Sequence, residues 1–261
     1  MDPRNHRCGN VIDKVDYVVH NRLVELDCQV HSLSGTMMIR PPEPNGHLTA
    51  KGRAMRDRIV ASAADLIFAR GARETTLDEV RFAVGASKSQ LYHYFADKDE
   101  LLRAVIDRQG DRIIEAQQPE LGAMNSFESL RRWRDKLIQL SDTHGRIGGC
   151  PIGSLANELA GHSEEHRRAL AAHFDHWAGL IEAGLSRMQA SGRLDPSLDP
   201  KSLSLTILTA VQGGLLLAKL HRSSKALGAA LDEIISSLED DAKNPVARSQ
   251  HPARLKSERK A

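Results

Sequence analysis

Two helix-start signals of the same kind stand close together in this chain: Thr76-Leu77-Asp78-Glu79 and Ser87-Lys88-Ser89-Gln90. In each, the leading hydroxyl can accept a first-turn amide, while the fourth side chain reaches back to the amide of the cap residue. Gly85 lies between them, a residue type at ease in the left-handed conformation that ends a helix. The pattern demands two short helices joined by a tight turn. Helices of that length do not persist alone in water, so their apolar faces must be buried against something else. Val80, Ala83 and Val84 supply the buried face of the first, and Leu91 and Phe95 that of the second, which spans about two turns.

The flanking sequence supplies the partners. From Lys51, the residues Met55, Ile59, Ala63, Leu66 and Ile67 recur at helical spacing until Gly71, which predicts a helix ending near Arg70. Asp97 caps a longer helix with Leu101, Leu102, Val105, Ile106 and Ile113 on one side, running toward Pro119. Beyond Pro119 the periodicity predicts only helices, over 127–143, 152–160, 164–190, 200–221 and 225–238. Ser126, Ser163 and Asp199 suit N-caps, Pro200 a first helical position, and Gly192 a C-terminal cap. No strand pattern competes, and the expected fold class is all-α.

The ends read differently. Residues 1–48 carry no sustained stripe and close on Pro41-Pro42-Glu43-Pro44-Asn45-Gly46, which reads as a disordered leader. Met37-Met38 stands just before these breakers, so residues 1–36 read either as an upstream start-site assignment or as a real, poorly ordered arm, which N-terminal sequencing would decide. Residues 241–261 are polar and basic and read as a disordered tail.

Two short helices around Gly85-Ala86-Ser87 have helix-turn-helix dimensions, in which the first braces the second and the second can enter a major groove. The surface of the second supports that use. Lys88, Ser89, Gln90, Tyr92, His93 and Tyr94 crowd hydrogen-bonding groups onto a helix with few core positions. Gln can pair with adenine, Lys can reach guanine or phosphate, and Ser, Tyr and His suit phosphate oxygens. Bulk charge does not supply the affinity. Lys and Arg number 36 against 34 Asp and Glu, a formal charge of +2, and residues 48–118 hold 12 basic and 11 acidic side chains. DNA binding here must rest on placed groups rather than on a basic field.

The run from Ile59 to Val105, and above all Gly85-Ala86-Ser87-Lys88-Ser89-Gln90-Leu91-Tyr92-His93-Tyr94-Phe95, resembles the DNA-binding domain of the tetracycline-repressor (TetR) family. The resemblance implies a three-helix domain over 49–112, with its helix-turn-helix motif at 76–95. It implies that Thr76, Tyr92, His93 and Lys98 hold phosphates, that Lys88, Ser89 and Gln90 face bases, and that Ser87 belongs to the same DNA-binding set. Arg81-Phe82 replaces small residues usual in the first motif helix, and Phe82 is expected to alter its packing.

Gly148–Ala156 and Gly213–Arg222 resemble a branch of that family answering to drugs, flavonoids or reactive electrophiles. This implies a helical ligand-binding and dimerisation domain over 113–240. The stripes Leu203, Ile207, Leu208, Val211, Leu215 and Leu231, Ile234, Ile235, Leu238 would pair with a second copy, serve the core of their own chain, or both. A sensor pocket wants apolar walls, for which Trp133, Leu137, Phe174 and Trp177 are the bulky candidates. His144, His173 and His176 lack a carboxylate or thiolate at ligand spacing, so no metal or other cofactor is expected. Cys150 stands at a helix start, where the dipole can lower a thiol pKa, and reads either as a buried, inert thiol or as a candidate redox sensor.

The expected protein is a homodimeric, non-enzymatic regulator, a repressor released from a palindromic double-stranded DNA operator by a small-molecule effector. Three cysteines without a CxxC pair, and no apolar run long enough for a span, point to a cytoplasmic protein that does not cross a membrane. The alternatives are a helical enzyme or binding protein that kept the fold without DNA recognition, and a transcriptional activator.

Overall fold

The computed structural model describes residues 48–144 and 149–243, and the described residues form helices and connecting turns with no strand. The helices are α1 (Ala50–Arg70), α2 (Leu77–Val84), α3 (Lys88–Tyr94), α4 (Lys98–Ala116), α5 (Phe127–His144), α6 (Pro151–Leu159), α7 (Glu164–Ala190), α8 (Pro200–His221) and α9 (Lys225–Lys243). Most of the leader with Cys8 and Cys28, the stretch holding Gly148, the side chain of His144 and the tail from 244 onward lie outside the described residues.

The local signals act as the sequence implies. Both capping boxes close: the Glu79 amide donates to Thr76 Oγ1 at 3.2 Å and the Thr76 amide to Glu79 Oε2 at 2.8 Å. The Gln90 amide donates to Ser87 Oγ at 3.2 Å and the Ser87 amide to Gln90 Oε1 at 2.9 Å. Gly85 takes φ 65° and ψ 30°, and the Ala86 amide behind it returns to the Arg81 carbonyl at 3.0 Å, ending α2 in one step. Side chains of Asp97, Ser126, Ser163 and Asp199 cap α4, α5, α7 and α8 by accepting amides of their first turns.

Three boundaries shift. α6 begins at Pro151 with Cys150 as its cap, α5 reaches His144, and α9 continues to Lys243, so Asp241–Lys243 belong to a helix rather than to the tail. The expected division at 112/113 falls inside α4, which runs unbroken between the two groups of helices.

The first core layer gathers Ile59, Ala63 and Ala64 of α1, Val80 of α2, Leu91 of α3, Phe95, and Val105 and Ile106 of α4, all at most 1% exposed. Each large side chain so buried contributes about 1.5–3 kcal/mol, enough to hold helices too short to stand alone. Ala83, expected inside, is exposed, because α2 turns only Val80 and Val84 fully inward. Phe82 is 72% exposed, with the Arg81 guanidinium 4.2 Å from its ring centre, so it leaves the packing of α2 unaltered, contrary to expectation.

The second layer centres on Trp133 of α5, fully buried, whose indole N–H donates to Gln117 Oε1 at 2.9 Å. Ile207, Leu208 and Val211 of α8 and Leu231, Ile235 and Leu238 of α9 are buried within this one chain. Leu203, Leu215 and Ile234 pack partly buried against the same core. What α8 leaves uncovered is another set, Leu205, Leu216, Leu217 and Leu220. α8 has the length and hydropathy of a membrane span, yet it packs along α7 and α9 as a bundle helix.

Candidate nucleic-acid interface

α3 buries Leu91 and turns Lys88, Ser89, Gln90, Tyr92 and His93 to solvent. Tyr92 is 47% exposed and carries the Lys88 ammonium 5.9 Å from its ring centre, so a cation and a phenol share one patch. Ser87 and Ser89 touch through their hydroxyls at 3.0 Å. His93 meets the edge of Tyr94, which is partly buried in the core.

Three of the expected contact residues are already engaged. Gln90 is folded back onto the start of α3, so a bidentate approach to adenine requires its cap to open, while its Nε2 stays free to donate. The Thr76 hydroxyl donates to Glu79 Oε2 at 3.0 Å while accepting the Glu79 amide. Lys98 Nζ donates to the Arg73 carbonyl at 3.1 Å, tying α4 to the turn before α2.

Two arginines beside the motif are paired with carboxylates. Arg81 pairs with Asp78 at 3.0 Å and Arg70 with Glu79 at 2.8 Å. The amide and hydroxyl of Thr76, with Arg70 beside them, hold the Glu79 carboxyl below its ordinary range, so it stays ionised. Lys88 is exposed and has no carboxylate partner among the described residues.

A second feature lies across the α1–α2 turn. Glu158 of α6 accepts the Ala72 amide at 2.6 Å and the Arg73 amide at 3.4 Å. Gly71, at φ 97°, lets the turn come this close, because a Cβ there would stand 3.1 Å from the same carboxylate. His162, just past α6, meets the Arg73 guanidinium. Sequence reasoning missed both residues, since nothing in local spacing announces a contact between segments so far apart.

The opposite end of α6 borders a cavity of about 290 Å³ between α1, α4, α5, α7 and α8. Of the four bulky candidates, Leu137 and Trp177 line this cavity, whereas Trp133 is core and Phe174, half-buried, is not part of its wall. Gln109 and Ser141, which sequence reasoning did not single out, line it too. Cys150 lies on the wall at the start of α6 and accepts the Gly153 amide at 3.4 Å. Burial nevertheless pushes its thiol above the ordinary range, and amides of Gly153 and Ile152 with the Gln212 side chain offset only part of this. Of the two readings of Cys150, the buried inert thiol is the one this burial favours, since desolvation outweighs the hydrogen bonds offered at the helix start.

Short helices held by a left-handed glycine turn, with a polar second helix bare to solvent, define a helix-turn-helix transcriptional regulator. Residues 59–105 match the family described as bacterial regulatory proteins, tetR family, and residues 126–234 match the tetracyclin repressor-like C-terminal domain. The chain is 30% identical over 174 residues to an HTH-type transcriptional regulator of Mycobacterium tuberculosis, covering 64% of this chain and 85% of that protein. It is 26% identical over 187 residues to the HTH-type transcriptional repressor NemR of Escherichia coli, covering 69% and 91%. A TetR transcriptional regulator from Chloroflexus aurantiacus shares the fold with a TM-score of 0.65 at 24% identity, over 72% of this chain and 96% of that one. The reduced form of Escherichia coli NemR does so with a TM-score of 0.64 at 23% identity, over 70% and 97%. The chain belongs to the TetR family of bacterial regulatory proteins.

Proposed function

We propose that this protein is a homodimeric repressor that leaves its operator when a small molecule enters the cavity beside α6. Each α3 would occupy a major groove of a quasi-palindromic site, with half-sites about 34–36 Å apart. Lys88 and Ser89 would meet base edges, with Gln90 donating through Nε2. Thr76, Ser87, Tyr92, His93 and Lys98 would meet phosphates. The unit is dimeric through the exposed side of α8, where Leu205, Leu216 and Leu220 fall on one stripe with Gly213, whose Cα faces open space.

The observation that carries this reading is the placement of α6. Its first residues border the cavity, and its Glu158 holds the turn that leads into α2. A ligand that displaces α6 or α4 therefore moves the recognition helices and spoils the half-site spacing. A coupling of about 1–3 kcal/mol changes affinity by about 5–150-fold.

The test is salt-dependent binding to the DNA flanking the protein's own gene. Lys88→Ala with Tyr92→Ala is expected to weaken binding at least tenfold and to flatten the salt dependence. Equal binding by that variant would remove α3 from the interface.

A further inference from the structure

We propose that the cavity takes a compact, uncharged ligand bearing a hydroxyl or carbonyl group, held by the side-chain amide of Gln109 on α4 and the hydroxyl of Ser141 on α5. This rests on the reading of that cavity as the effector site and adds the chemistry of what enters it.

Gln109 is only 7% exposed and Ser141 9%, yet neither side chain has a hydrogen-bond partner among the described residues. Buried polar groups are ordinarily paired, and leaving one unpaired costs about 1–3 kcal/mol. Neither side chain is walled off by protein, because none of their polar atoms is among the sealed, unpartnered ones such as Trp177 Nε1. Both residues line the cavity, so the surface left to them opens into it. Each can donate and accept, which matches a hydroxyl and also a carbonyl.

The rest of the wall decides the charge. Phe68, Ile113, Leu137, Leu140 and Leu215 supply apolar surface, and Cys150 stays a neutral thiol because burial raises it. Among the described residues, ionised groups border the cavity only through Asp65 and Arg112, which are exposed and of opposite sign. An ion moved inside would exchange water for an amide, a hydroxyl and hydrocarbon, which is strongly unfavourable. At about 290 Å³ the space sits at the small end of the roughly 300–1,000 Å³ typical of ligand pockets, so the ligand is compact.

The experiment is equilibrium dialysis of the full-length protein at neutral pH against four probes of one shape: 2-naphthol, 2-methylnaphthalene, 2-naphthoate and 2-naphthylmethylammonium. 2-Naphthol is expected to bind about tenfold more tightly than 2-methylnaphthalene, and both ions more weakly than 2-naphthol. In Gln109→Met with Ser141→Ala, 2-naphthol is expected to fall to the level of 2-methylnaphthalene, whose own binding stays within about twofold. Tighter binding of either ion, no binding of 2-naphthol, or equal loss of both neutral probes in the variant would overturn the proposal. The wild-type probe series decides the matter even if the variant does not fold. Binding to the DNA flanking the gene, measured on the same protein without probe, tests the regulator reading separately. Probe selectivity without DNA binding sinks that reading, and DNA binding without selectivity sinks only this one.

Discussion

Glu158 Oε2 lies 2.6 Å from the amide nitrogen of Ala72, joining the far end of α6 to the turn that aims α2 and α3. A carboxylate accepting backbone amides is a charge-assisted bond, among the stronger polar contacts a protein makes. It links the regulatory helices to the DNA-binding helices without passing through α4.

Removing that carboxylate should therefore loosen the turn more than the core. In Glu158→Ala, amide exchange at Ala72 and Arg73 is expected to accelerate about tenfold or more, with global stability falling by only about 1 kcal/mol. Glu158→Gln keeps an acceptor and should lie between. Unchanged exchange at both amides in the Ala variant would show that the contact carries no constraint.

Cys150 should be a poor nucleophile in the folded protein, since its thiol is buried and its pKa raised. With Cys8 and Cys28 replaced by Ser, alkylation by iodoacetamide near pH 8 is expected to be at least about tenfold slower in the native state than in denaturant. The sign follows from the direction of the shift: the folded thiol ionises only at a pH above that of the unfolded one. Native alkylation as fast as in denaturant would restore the redox-sensor reading.

The exposed leucines of α8 should hold the dimer. Leu216→Lys with Leu220→Lys places charge on side chains that are 56% and 67% exposed in one chain, so the chain's own core is untouched. Sedimentation is expected to show a monomer with unchanged helical circular dichroism, and operator affinity should fall by more than tenfold once the two half-sites are no longer joined. A dimer of undiminished stability would place the interface elsewhere.

Much of the fold was legible because it is written locally. Thr76 with Glu79, Ser87 with Gln90, and Gly85 between them set α2 and α3 through contacts three or four residues apart, which a sequence displays directly. The second box also fixes what Gln90 can offer: its Oε1 caps its own helix, as the spacing implied, which leaves Nε2 to donate elsewhere. The apolar stripes of α8 and α9 were visible, but periodicity does not tell an inner face from an outer one. The uncovered face proved to be Leu205, Leu216, Leu217 and Leu220. Glu158, Gln109 and Ser141 were invisible for a different reason: their roles come from helices brought together only by the tertiary fold.

The central claim is that α3 of each subunit reads DNA by placed groups, two copies at a fixed spacing. A hydroxyl-radical footprint on the DNA flanking the gene tests it most directly. Two protected half-sites related by a dyad, about 34–36 Å apart, are expected, both lost together in Lys88→Ala with Tyr92→Ala. Uniform protection along the fragment, or a single half-site untouched by that variant, would contradict it.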